Sequence, residues 1–109
     1  MSYNQDTALR LRATLGGLPG LDEKKMFGGV CYLLHGNMTC GVVNDQLIVR
    51  CGPEAYPAAL AKPHARVFDY AGRPMKGWIF VDPSGYAAEE DLRAWVDLAV
   101  RFVSTLAHK

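Results

Sequence analysis

The chain has 109 residues, 50% of them hydrophobic, and 12 Lys+Arg against 11 Asp+Glu give a formal charge of +1. That length holds one domain with one core, burying roughly 65% of the unfolded surface without metal or disulfide staples. Near-neutral charge leaves no electrostatic footprint for nucleic acid or an anionic membrane. No uncharged apolar stretch reaches a bilayer span, and Asp6, Arg10 and Arg12 interrupt any signal-peptide core, so a cytoplasmic domain outside the membrane is expected.

From Asn4 to about Leu15, the residues Ala8, Leu11, Leu15 and Leu18 recur at helical spacing, and Ser2 with Gln5 forms a candidate capping box. Gly16-Gly17 and Pro19-Gly20 then stop the helix and turn the chain. From Lys25 to Cys51 the texture becomes β-branched, aromatic and alternating. Three strands are predicted, Met26 to Leu34, Asn37 to Val43 and Gln46 to Cys51, joined at His35-Gly36 and Asn44-Asp45 into an antiparallel meander.

Pro53 to Leu60 reads as a short helix, with Pro57 keeping it brief and Pro63 ending it. Strands follow around Arg66–Tyr70 and Gly77–Val81, with a turn through Gly72-Arg73-Pro74, and Pro83-Ser84-Gly85 punctuates the chain again. In the last segment Leu92, Trp95, Val96, Ala99, Phe102, Val103 and Leu106 form one wide apolar stripe. Glu89, Glu90 and Asp91 open this helix and His108 and Lys109 close it, as the helix dipole favours. The order α-β-β-β-α-β-β-α gives an α+β, two-layer domain with an antiparallel sheet and helices on one face.

Met26-Phe27-Gly28-Gly29 at the opening of the first strand resembles the start of the TfoX/Sxy N-terminal domain. The glycine-turned meander, the Val49-Arg50 strand end and a closing helix with Trp95 extend the likeness over about Leu21 to Leu106. The block Gly72-Arg73-Pro74-Met75-Lys76-Gly77-Trp78 is similar to that of short stand-alone members lacking the family's C-terminal domain. The resemblance implies an α+β domain. The longer members act in bacterial competence and transcriptional regulation, and the family supplies no catalytic residues to carry over.

The cysteines, spaced Cys31-x8-Cys40-x10-Cys51, show neither a CxxC pair nor zinc-ribbon spacing. A turn at His35-Gly36 pairs Cys31 with Cys40, a turn at Gly36-Asn37 pairs Cys31 with Val42, and either leaves both thiols on one face. The second turn sets Cys40 opposite Val49 and brings Cys51 to that face, among Leu33, Met38, Val42, Leu47 and Val49. Such a face makes them buried thiols, so neither a metal site nor a cofactor is expected. His35, His64 and His108 lie in no metal or nucleophile motif and read as solvated, and Ser84 lacks the nucleophile-elbow context.

Gly28-Gly29 precedes a strand, which fits a bulge or a close backbone contact better than a phosphate loop. Arg73 to Lys76 with Trp78 has two readings, an exposed turn beside a core tryptophan or a site for an anionic partner. One basic block without a basic surround does not support direct nucleic-acid binding.

Two functions remain. The first is a non-enzymatic interaction or regulatory module with a protein partner. The second is a small-molecule-binding protein or enzyme with a cleft near Phe27, Gly28, Gly29, Arg50, Arg73, Lys76 and Trp78. On the meander face away from the cysteines, Val30, Tyr32, Leu34, Val43 and Ile48 form an apolar centre among Asn37, Thr39, Gln46 and Arg50. With both helices needed elsewhere, this face is to be covered by a second copy in a two-fold homodimer, by the short Pro53–Leu60 helix or the chain ends within one monomer, or by a different protein partner.

Overall fold

The structure, a computed structural model, describes residues 3–69, 72 and 74–109. Helix α1 spans Gln5–Leu15 and is capped by Asn4, whose side-chain oxygen accepts the Thr7 backbone N–H at 3.1 Å. The predicted cap, Ser2, lies outside the described residues. Six strands follow with two further helices: β1 Leu21–Met26, β2 Gly29–Leu34, β3 Asn37–Val43, β4 Gln46–Arg50, α2 Tyr56–Leu60, β5 Ala65–Val67, β6 Trp78–Val81 and α3 Glu89–Val103. The strands pair antiparallel in one sheet of order β1-β2-β3-β4-β6-β5.

The α+β class and the predicted succession of helix, meander, helix, two strands and helix are those of the structure. The first predicted strand turns out to be the inner arm of a further hairpin. Its outer arm, β1, reads Leu-Asp-Glu-Lys-Lys-Met and is mostly exposed at the sheet edge. Charge on an edge strand blunts unwanted pairing, and it also erases the alternation by which a strand is recognised.

The β2–β3 register departs from prediction at one residue. Leu34 pairs Asn37 and Leu33 pairs Met38, as the His35-Gly36 turn requires. Beyond them the register shifts, so that Tyr32 pairs Cys40, Cys31 pairs Gly41 and Val30 pairs Val42. Thr39 is the extra residue, and its hydroxyl, fully buried, donates to the Asn37 carbonyl at 3.1 Å. A one-residue slip exchanges the two faces of everything beyond it. The three thiols therefore do not share a face: Cys31 lies on one side with Leu33 and Met38, Cys40 and Cys51 on the other. From β3 to β4 the predicted pairing of Cys40 with Val49 holds.

The first face carries the main core. Val30, Tyr32, Cys40, Val42, Leu47, Val49, Ile79 and Val81 meet Leu11 and Leu15 of α1 and Leu92, Trp95, Val96 and Ala99 of α3. Leu92, Trp95, Val96, Ala99 and Val103 of the predicted stripe are buried and Phe102 half-buried, whereas the helix ends at Val103, so Leu106, His108 and Lys109 lie beyond it. Trp95 also donates its indole N–H to the Gly85 carbonyl at 3.0 Å. The cover expected for the second face was a second copy, the Pro53–Leu60 helix or the chain ends, or a different protein. Instead, Phe68 and Met75, from the two ends of the β5–β6 connection, lie across it, the Met75 N–H bonding the Phe68 carbonyl at 3.0 Å. Phe68, fully buried, sits with Cys31, Met38 and Ile48, and Met26, Phe27, Val43, Met75, Trp78 and Phe80 close around them half-buried.

Candidate functional site

The residues expected to form a cleft divide into three groups. Phe27, Arg50 and Trp78 come together. Gly28, Gly29 and Lys76 build or border turns, and Arg73 lies outside the described residues. Phe27-Gly28 is the β1–β2 turn, with φ of 57° and 78°. Gly28 suits that left-handed conformation, whereas Phe27 is strained in it. A Cβ on Gly29 would run into the Val42 carbonyl, so the pair serves a turn and a close backbone contact. Lys76 is exposed.

Phe27 is held in its turn by aromatic packing. Its ring meets Phe68 edge-on at 5.4 Å and 81°, and Trp78 at 6.2 Å and 76°. Phe68 in turn stacks on Trp78 at 5.7 Å and contacts Phe80 at 4.7 Å. Between Phe27 and Trp78, near the cleft of the alternative, small-molecule reading, ring packs against ring.

Arg50 ends β4 at the rim of this cluster, half-buried. Its guanidinium carbon lies 5.1 Å from the centre of the Trp78 ring and 5.5 Å from that of Phe102 on α3. One N–H donates to the Met38 carbonyl at 3.2 Å. Among the described residues the ion pairs are Arg10–Glu89, Arg12–Glu23 and Arg66–Asp82, and none of them involves Arg50. Burial without a compensating acid lowers its pKa, though a guanidinium stays charged.

Phe102 joins this site to a groove. Its ring lies over Gly52, φ 86°, where any Cβ would collide with it. The groove, of about 540 Å³, runs between residues 51–55 and the C-terminal half of α3, lined mainly by apolar groups with Glu54 and Arg101. Phe102 read as one more member of the helix stripe; the signal for its second role was Arg50-Cys51-Gly52-Pro53, an arginine leaving a strand through glycine and proline.

The five predicted interface residues are split by the Thr39 bulge. Val30 and Tyr32 face the helices, Tyr32 donating its hydroxyl to the Ala8 carbonyl at 3.1 Å, and by alternation Leu34 goes with them. Val43 and Ile48 lie on the second face, Ile48 fully buried beneath Phe68 and its neighbours. The thiols are buried in both cores. Desolvation pushes Cys31 up from 9.0 to about 12, and raises Cys40, with a smaller push from Cys31, and Cys51 as well. Two of the histidines meet: His35 and His108 stack at 3.6 Å, while the Lys109 N–H bonds the His35 carbonyl at 2.8 Å.

The TfoX N-terminal domain family matches residues 13–103. The chain belongs to that family. The match takes in the whole sheet and α3, hence both faces, the aromatic cluster and Arg50. No curated protein matches the chain. No helix among the described residues is long and apolar enough to cross a membrane.

Proposed function

We propose that this TfoX N-terminal domain is a non-enzymatic interaction or regulatory module of the cytoplasm, and that it binds a protein through the second face of its sheet. The observation that supports this is the unequal closure of the two faces. Phe27, Met75, Trp78 and Phe80 are only half-buried and adjoin one another, with Lys76 exposed beside them. An apolar centre within a polar rim is the composition of a partner surface. The thiols, the strongest nucleophiles in the chain, are committed to packing.

A second copy on a two-fold axis is the simplest partner, although Val30 and Tyr32 no longer belong to its surface. Solution mass at micromolar concentration tests this with Trp78→Glu and Phe80→Glu. A wild-type dimer that both changes convert to a folded monomer supports the homodimer. A monomeric wild-type chain removes the second copy and leaves a different protein. Capture from native extract that these two changes leave unaltered would remove the second face from the reading.

A further inference from the structure

We propose that the second face is an oxidant-sensitive surface, on which a hydroperoxide converts the thioethers of Met75 and Met26 to sulfoxides and so opens the cover over Cys31. This deepens the reading above, and rests on it only for the consequence, loss of the apolar partner surface. Three of the four methionines in the chain, Met26, Met38 and Met75, belong to the second-face cluster, and the helix-covered core holds none. Met1 lies outside the described residues.

Burial ranks these sulfurs. Met26 and Met75 are half-buried, Met38 is 6% exposed and Cys31 is wholly buried. A thioether has no proton to lose, so its reactivity follows exposure, whereas a cysteine reacts as the thiolate. Burial pushes Cys31 up to about 12, which keeps it a thiol at neutral pH. The two half-buried methionines are therefore the first sulfurs of this face that an oxidant meets. A sulfur lone pair takes one oxygen of the hydroperoxide as the O–O bond breaks, and the other oxygen leaves with the proton as water or an alcohol. Sulfur is oxidised and the peroxide reduced by the same electron pair. The sulfoxide oxygen is a strong acceptor, and the buried side chains beneath it, Cys31, Met38, Ile48 and Phe68, are apolar but for one thiol. Keeping that oxygen in place without a donor is costly, so the side chain turns out to water. The Met75 N–H bonds the Phe68 carbonyl, and displacement of Met75 therefore loosens Phe68 as well. Thiol-dependent reductases reverse the sulfoxide, so the surface can close again.

Millimolar hydrogen peroxide serves as the probe on the full chain at neutral pH. Catalase ends the reaction, and peptide mass spectrometry follows the oxygen gained at each sulfur and the labelling of each thiol. Met75 and Met26 are expected to gain oxygen about tenfold or more faster than Met38. As they do, Cys31 should label, or gain oxygen itself, about tenfold or more faster than before, with Cys40 unchanged. A methionine sulfoxide reductase with dithiothreitol should return the wild-type chain to slow labelling at Cys31. Met26→Leu with Met75→Leu, which conserves volume, should keep Cys31 protected under peroxide. Should that variant fail to fold, the reductase measurement decides. Met38 keeping pace with Met75, Cys31 as slow after both sulfoxides form, or Cys40 accelerating equally would overturn the proposal. None of these outcomes involves a partner, and the changes at Trp78 and Phe80 judge the partner surface separately.

Discussion

The two faces of the sheet are built from the same strands and closed by different means. On one, α1 and α3 lie across the strands, and Leu11, Leu15, Leu92 and Ala99 are wholly shielded. On the other, the cover comes from Phe68 and Met75 beside β5 and β6, fringed by half-buried Phe27, Trp78 and Phe80. A helix brings its own hydrogen-bonded backbone to a core. A connecting segment brings only what its side chains supply, and such segments open at lower free energy. On this reading the face closed by helices carries most of the stability, and the second face is the one proposed above to meet a partner.

The largest effect should come from the helix-covered face. Trp95→Ala removes a buried indole and its bond to the Gly85 carbonyl, and should cost about 3–5 kcal/mol. With roughly 5–15 kcal/mol available to a domain, that leaves little margin. Chemical denaturation measures it, and a midpoint barely moved would mean that α3 does not anchor this face.

Alkali should act on both faces together. Folding lifts Cys31 from 9.0 to about 12 and Tyr32 from 10.0 to about 12, both mainly by burial, and raises Cys40 as well. The unfolded chain then loses these protons first, so stability is complete below about pH 9 and declines as pH rises towards 12. The slope is about 1.4 kcal/mol per pH unit for each group ionised only when unfolded. Urea midpoints that stay level from pH 9 to 11 would contradict the burial of these groups.

The smallest effect distinguishes strain from packing at the β1–β2 turn. Phe27→Ala loses the edge-on contacts and keeps a side chain at φ 57°, a cost of about 1–2 kcal/mol. Phe27→Asn loses the same contacts but tolerates the left-handed backbone, and should cost less than about 1 kcal/mol. Equal losses would mean that the backbone at Phe27 stores nothing.

Most of the fold was legible in the sequence because its periodic signals are strong. The α3 stripe, the turns at His35-Gly36 and Asn44-Asp45 and the Cys40–Val49 pairing all follow from spacing. What escaped lies where a local rule meets a long-range one. Thr39 carries no mark of a bulge, yet it moves Cys31 to the face opposite Cys40 and divides the predicted interface. The charged strand β1 obeys edge chemistry in place of alternation. Phe68 gave no sign that it would pack beneath the second face of the sheet. In the candidate site, Phe27, Arg50 and Trp78 were recognisable as aromatic and basic residues beside turns. Phe102 and the groove walls were not, because their meeting depends on how the α3 end packs over Gly52.

Cys31 and Cys40 are both fully buried on opposite faces, and so report separately on the two kinds of closure. Thiol labelling at low denaturant concentration, resolved by peptide mass spectrometry, tests the difference between those faces directly. Cys31 should label faster than Cys40, through a local opening of the Phe68 and Met75 side chains over it with little dependence on denaturant. Cys40 should react only with the full denaturant dependence of global unfolding. Equal rates with that full dependence at both thiols, or Cys40 reacting first, would contradict the account.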